Sequence, residues 1–292
     1  MRRALLAAAA LLGLAGPALG QNGMPAKDLF GAAATPAPLA ARSIGFYSKG
    51  CVAGAVALPV DGPGATSGPL WQAMRLSRNR NWGHPALVAF IERFAAAARR
   101  SSGWSGILVG DMSQPRGGPM RTGHASHQIG LDVDIWLTPS PGSLSPASRE
   151  TLGAAMMVRP DRRDVDPAAF TPAHVAVIRA AAEDPEVERI FVNAAIKRAL
   201  CRSSAGRPWL AKVRPYWGHD SHMHVRLQCQ ADSPDCRPQE PPPAGDGCGS
   251  DLAWWFTDKV LHPPPPKTPP KPRPPLTLAD LPPACTGVLE AR

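Results

Sequence analysis

From Leu131 to Leu137 the chain alternates: Leu131, Val133, Ile135 and Leu137 are apolar, with Asp132, Asp134 and Trp136 between them. Successive side chains of a strand point to opposite faces, so this period of two predicts a strand with one face in the core. His222 to Leu227 has the same period, with Met223, Val225 and Leu227 on one side and His222, His224 and Arg226 on the other. Gly106 to Gly110 predicts a buried strand around Ile107-Leu108-Val109, and Arg189 to Asn193 a further short one. Helical spacing is clearest in His84 to Arg100, where Leu87, Ile91, Phe94, Ala95 and Ala98 form one face. Pro85 suits its first turn, and Arg99 and Arg100 suit its negative end. Thr171-Pro172 starts a second helix, running to about Glu183, and Ala194 to Cys201 predicts a third. No internal repeat is visible.

This mixture predicts an α+β fold: a small central antiparallel sheet flanked by helices and long loops. The two ends differ from the middle. Residues 1–20 begin with Arg2-Arg3, continue through an apolar run of Leu and Ala, and end in Ala18-Leu19-Gly20. That layout predicts a secretory signal peptide, and hence a periplasmic protein. No later apolar stretch is long enough to span a membrane. Residues 21–45, rich in Ala, Pro and Gly, predict an irregular lead-in. The main domain is expected over 21–236. Residues 237–292 hold Pro241-Pro242-Pro243 and Pro263 to Pro266, which can neither pair in a sheet nor continue a helix. They predict an extension in polyproline-like form, laid on the domain and stapled to it by cysteine.

The net charge of +9 favours anionic partners. Nucleic acid does not suit an exported chain without a recognition motif, whereas a wall polymer bearing carboxylates and phosphates does. The six cysteines of an exported chain predict three disulfides. Cys229 and Cys236 are close enough to pair through a short loop; by placement, Cys51 is expected to join Cys285, and Cys201 to join Cys248.

Five of the eight histidines fall in two short segments, Gly123 to Asp134 and Trp217 to Val225. On a strand, His222 and His224 project to one face, so that one imidazole can bind a metal while its neighbour faces a water. In the other segment a loop with His127 turns at Gly130 into the strand that presents Asp134. Two imidazoles and a carboxylate with an open fourth position are the usual holder of catalytic zinc. Asp132 and Asp134 stand among apolar neighbours, and buried carboxylates need partners. Arg116, in the loop Ser113-Gln114-Pro115-Arg116-Gly117-Gly118, is a candidate to grip a substrate carboxylate; the plain alternative is a turn. Trp82, Trp104, Trp217, Trp254 and Trp255 are expected to pack in the core or under the extension.

His-x(6)-Asp preceded by Ser126, and the later His-x-His, resemble the LAS metallopeptidases. Within them the chain is similar to the penicillin-insensitive murein endopeptidases. That likeness is carried by Ser113 to Gly118, Gly123 to Ile135, Arg189 to Asn193, Lys212 to Pro215, His222 to Arg226 and Gly245 to Gly249. The resemblance implies zinc held by His127, Asp134 and His224, with His222 as the base and His219 stabilising the oxyanion. It places a further metal-facing histidine at His124. It also places a second metal-binding pair at Asp161 and Asp164, where the usual histidine is absent and a charged surface turn is the alternative. The implied reaction is hydrolysis of D-alanyl–meso-diaminopimelyl cross-links in peptidoglycan. The alternatives are a D,D-carboxypeptidase trimming terminal D-Ala and a non-catalytic wall-binding protein on the same fold.

Overall fold

The structure, a computed structural model, describes residues 23–292 apart from 66–67, 267 and 269–272. The expected signal peptide lies outside the described residues.

A hairpin comes first, β1 (Arg42–Phe46) against β2 (Lys49–Ala53). Six further strands form the central sheet: β3 (Trp71–Ala73), β4 (Ile107–Val109), β5 (Asp132–Trp136), β6 (Val187–Val192), β7 (Val213–Pro215) and β8 (His222–Leu227). Their order across the sheet is β7-β6-β8-β5-β4-β3. The four inner strands run antiparallel, as expected, while β7 and β3 pair in parallel at the two edges, so the sheet is mixed. The edge strands, three residues each, are too short to show a period.

Helices α1 (Pro85–Ser102), α2 (Pro172–Ala182) and α3 (Ala194–Ser204) lie near their predicted positions. The Nδ1 of His84 caps α1 by accepting from the amide of Ala86, and Gly103, at φ +77°, ends it. The apolar face of α1, including Leu87, Phe90, Ile91 and Phe94, is buried in the same core as Val133, Ile135, Met223 and Val225 from the sheet. The strand alternation thus sends Val133, Ile135, Met223 and Val225 into the core and leaves the opposite face for polar side chains. Yet every residue of β5 is buried, so its polar face is covered too.

The lead-in is more regular than its composition predicts. It contains a short helix, Ala26–Phe30, as well as β1. The physical cause is non-local: Phe30, Ile44 and Cys51 share a second core with Leu278, Leu281, Cys285 and Val288 from the opposite end of the chain. Gly118, at φ +73°, passes directly under Phe30, and a Cβ there would come within 2.2 Å of the ring. The C-terminal segment likewise carries helices as well as extended proline-rich chain: Ser250–Trp254, Asp258–Leu261 and α4 (Ala284–Glu290). Cysteines pair as expected, Cys51–Cys285, Cys201–Cys248 and Cys229–Cys236. Trp104 is buried in the core, whereas the Trp217 ring meets Trp255 of the C-terminal segment at 4.8 Å and stays half exposed.

Candidate metal centre

In the β5–β8 register His224 faces Asp134 and Arg226 faces Asp132. Cross-strand partners share a face, so the His224 imidazole, the Arg226 guanidinium and two carboxylates meet on the polar side of the sheet, with His222 two residues before His224 on the same face. The loop before β5 supplies the rest. His127 sits in the left-handed region at φ +65°, and Gly130 follows at φ +73°. A Cβ on Gly130 would come 2.9 Å from the amide nitrogen of His84, so only glycine lets the loop turn back over the strand.

The result is a compact donor set around Asp134. Its Oδ1 is 3.4 Å from His127 Nε2, 3.3 Å from His224 Nδ1 and 3.9 Å from His222 Nε2. His124 Nε2 stands 3.4 Å from Asp134 Oδ2, and the ligand atoms of His124, His127 and Asp134 lie within 4.8 Å of one another. Both ring nitrogens of His127 and the Oδ1 of Asp134 are buried without a hydrogen-bond partner among the described residues. Buried polar atoms are ordinarily satisfied, and here three unpaired ones converge. Such a group fits a metal ion, and its nitrogen and oxygen donors suit zinc.

A second layer orients these groups. Asp132 accepts from His224 Nε2 at 2.7 Å, from Arg226 Nε at 2.7 Å and from the His127 amide at 3.3 Å. By engaging Nε2, Asp132 leaves Nδ1 of His224 as the nitrogen turned to Asp134, the arrangement that fixes tautomer and ring in metal sites. His124 is held differently. Its Nε2 donates to Asp111 at 3.2 Å, and Asp111 also accepts from Arg80 at 2.9 Å. His124 can therefore join the donor set through Nε2 only by giving up Asp111.

Electrostatics follow from this packing. Burial alone would raise the Asp134 carboxyl, but His127, His224 and His222 hold it well below the usual carboxylate range. Asp132 is also held low, because Arg226 and His224 outweigh its burial. Asp111 falls to about 2, since His124, Arg80 and Arg78 overcome burial. Burial pushes the His127 and His222 imidazoles down, which keeps both rings neutral at pH 7. His224 and His124 move up, the carboxylates of Asp132 and Asp111 prevailing over desolvation.

His219 is pushed down to about 4 by burial and by His222, whose ring centroid is 4.8 Å away. Its Nδ1 lies 2.8 Å from the carbonyl of Trp217, which can only accept, so Nδ1 carries the proton and Nε2 is the open atom. His219 has φ +58°, and Asn193 braces its turn by donating to the Gly218 carbonyl and to Asp220 Oδ1. Asn193 also caps α3, accepting from the Ala195 amide at 2.8 Å. Asn193→Ala is expected to lower stability by about 1 kcal/mol through the lost cap. Denaturant unfolding measures the loss.

Three sequence candidates stand apart from this cluster. The Arg116 guanidinium donates to the carbonyls of Thr35, Val288 and Leu289, so it ties the last turn of α4 to the domain. Arg116→Met should lower stability by about 1–3 kcal/mol, because those carbonyls lose a charged donor. A thermal melt measures this; a raised KM at unchanged stability would restore the substrate-gripping role. Asp161 pairs with Arg159 at 2.6 Å, and Asp164 with Arg202 at 2.8 Å. Both belong to an arginine-rich turn, and neither is in the metal-capable group found among the described residues.

Asp111, Arg80 and Asn193 are the supporting residues that sequence reasoning missed. Asp111 directly follows the predicted strand Gly106 to Gly110, a place where a carboxylate is poorly solvated, and Asn193 ends another strand. Those positions were the available signals.

A family model described as penicillin-insensitive murein endopeptidase matches residues 43–290. Three relatives carry that same name. One from Klebsiella pneumoniae is 44% identical over 251 residues, covering 86% of this chain and 86% of the relative. One from Haemophilus influenzae is 45% identical over 217 residues, covering 74% and 73%. One from Salmonella arizonae is 44% identical over 258 residues, covering 87% and 88%. With the family's pattern spread over nearly the whole described structure and the donor set assembled on β5 and β8, this chain belongs to the penicillin-insensitive murein endopeptidase family.

Proposed function

We propose that the protein is a periplasmic, zinc-dependent murein endopeptidase that hydrolyses D-alanyl–meso-diaminopimelyl cross-links of peptidoglycan. The observation that carries this reading is the convergence of partnerless, buried donor atoms of His127 and Asp134 beside Nδ1 of His224. These three residues would hold the ion, with His124 close enough to take part. When bound, zinc supplies a Lewis acid that polarises a scissile carbonyl and acidifies water.

The chain's own residues do the remaining work. His222, neutral and with Nε2 on the rim of the donor set, accepts the proton of the attacking water at that atom. His219, held at Nδ1 by Trp217, meets the substrate through Nε2. It donates there once its ring is protonated, which a developing oxyanion favours. Asp132 keeps His224 in one tautomer throughout. The leader at residues 1–20 supports export to the wall, and basic composition suits an anionic polymer.

Mass analysis of products from purified sacculi tests the reading. Dimeric muropeptides should be converted to monomers, activity should vanish with a chelator, and added zinc should restore it. Release of terminal D-Ala from monomers without loss of dimers would instead identify a carboxypeptidase.

A further inference from the structure

A cavity of about 210 Å³ opens beside the histidine cluster; its lining includes Tyr47, His124, His219, His224, Arg226 and Gln239. Arg226 is the unusual member. Only 4% of it is exposed, yet it forms part of this wall. Its guanidinium lies 3.7 Å from the centre of the Tyr47 ring and 5.4 Å from that of Phe191, so two aromatic rings fix its plane. Nε donates to Asp132 and Nη1 to Gln239 Oε1 at 2.6 Å, while Nη2 makes no hydrogen bond to any described residue. A guanidinium has five donors, and only two N–H groups are engaged here. Gln239 belongs to the C-terminal extension, and the next residue, Glu240, is pinned through its carbonyl by Arg189, the β6 partner of Arg226. The extension therefore completes the cavity.

We infer that Arg226, framed by Tyr47 and Gln239, forms a subsite for a substrate carboxylate, the one on the carbon that bears the scissile nitrogen. This inference rests on the endopeptidase reading. A planar, partly unpaired guanidinium in a low-dielectric pocket is suited to a carboxylate, which can take two N–H groups at once. Position selects which carboxylate. Asp132 Oδ1 lies 2.7 Å from both Arg226 Nε and His224 Nε2, and the other nitrogen of His224 faces Asp134. One carboxylate oxygen and one imidazole thus separate the guanidinium from the donor set. A group bound at Arg226 is next to the bond being cut, and a D-alanyl–meso-diaminopimelyl link has a free carboxylate at that place. Asp132 engages Arg226 through Nε alone, so Nη2 remains for a ligand.

The test compares two cross-linked peptides, one with that carboxylate free and one with it amidated, on zinc-loaded full-length protein. The ratio of their kcat/KM values, measured on one preparation, is independent of how much of it carries metal. Wild type should prefer the free acid by about 10- to 100-fold, the range for a hydrogen bond to a charged group. Arg226→Gln should bring the ratio to about one. Gln239→Leu and Tyr47→Ala, which leave Asp132 untouched, should each lower it several-fold, so the test survives if Arg226→Gln fails to fold. Equal turnover of both peptides by wild type, or a ratio unchanged in Gln239→Leu and Tyr47→Ala, overturns the subsite and leaves the endopeptidase reading intact. Cleavage of neither peptide by wild type overturns both.

Discussion

His127→Ala is expected to remove bound zinc and cross-link cleavage together. His127 is fully buried, and among the described residues both of its ring nitrogens lack a hydrogen-bond partner, so the side chain is placed for the donor set. Loss of an orienting neighbour in a metal site typically costs about 10- to 100-fold in affinity, and loss of a ligand costs more. Lewis-acid stabilisation worth about 4 kcal/mol corresponds to about 10³-fold in rate, so cleavage should fall by at least that factor. His127→Gln, closer in volume, should behave alike and separates the chemical loss from a packing defect. Elemental analysis of the purified variants and product analysis on muropeptide dimers give the two readouts. A His127→Ala protein that cleaves at the wild-type rate would refute the assignment.

The second large effect is expected at Asp132→Asn. The carboxylate accepts from His127, His224 and Arg226, and Arg226 is itself buried. Breaking a buried charge pair by removing one partner costs about 3–5 kcal/mol, because the other charge stays behind. Zinc affinity should drop as well, by about 10- to 100-fold, as His224 loses the bond that fixes its tautomer. Because Asp132 is held below the ordinary carboxylate range, its stabilisation is present above about pH 4 and is lost as pH falls through the folded-state value. The stability gap between wild type and variant should therefore be full at neutral pH and narrow in acid. Urea unfolding of the metal-free proteins at several pH values measures it. A gap under about 0.5 kcal/mol at pH 7, the scale of an ordinary surface substitution, would show that Asp132 carries no such load.

The parts of the molecule that were legible in the sequence are those governed by a short period. The apolar face of α1 and the alternation in β5 and β8 state both the element and its buried side, and they put His222 and His224 on one face without any knowledge of neighbours. The edge strands β3 and β7 and the ordered lead-in were not legible. Each depends on a partner far along the chain: Ile107 pairs with Trp71, and Phe30 finds its core with Val288. The site divides in the same way. His127, Asp134 and His224 stand out as residue types at a recognisable spacing. Asp132 and Asp111 act through what packs on them, and their roles appear only when β5, β8 and the His124 loop are in place. Arg116 shows the converse case. Its residue type suits a carboxylate, but its position under α4 gives it main-chain carbonyls instead.

Diffraction from zinc-grown crystals, recorded just above and just below the zinc absorption edge, tests the central claim most directly. The account predicts one strong anomalous peak among His127, Asp134 and Nδ1 of His224, at about 2.0–2.1 Å from the nitrogens and 2.0–2.2 Å from the carboxylate. Absence of a peak there, or a peak held by Asp161 and Asp164 alone, would contradict it.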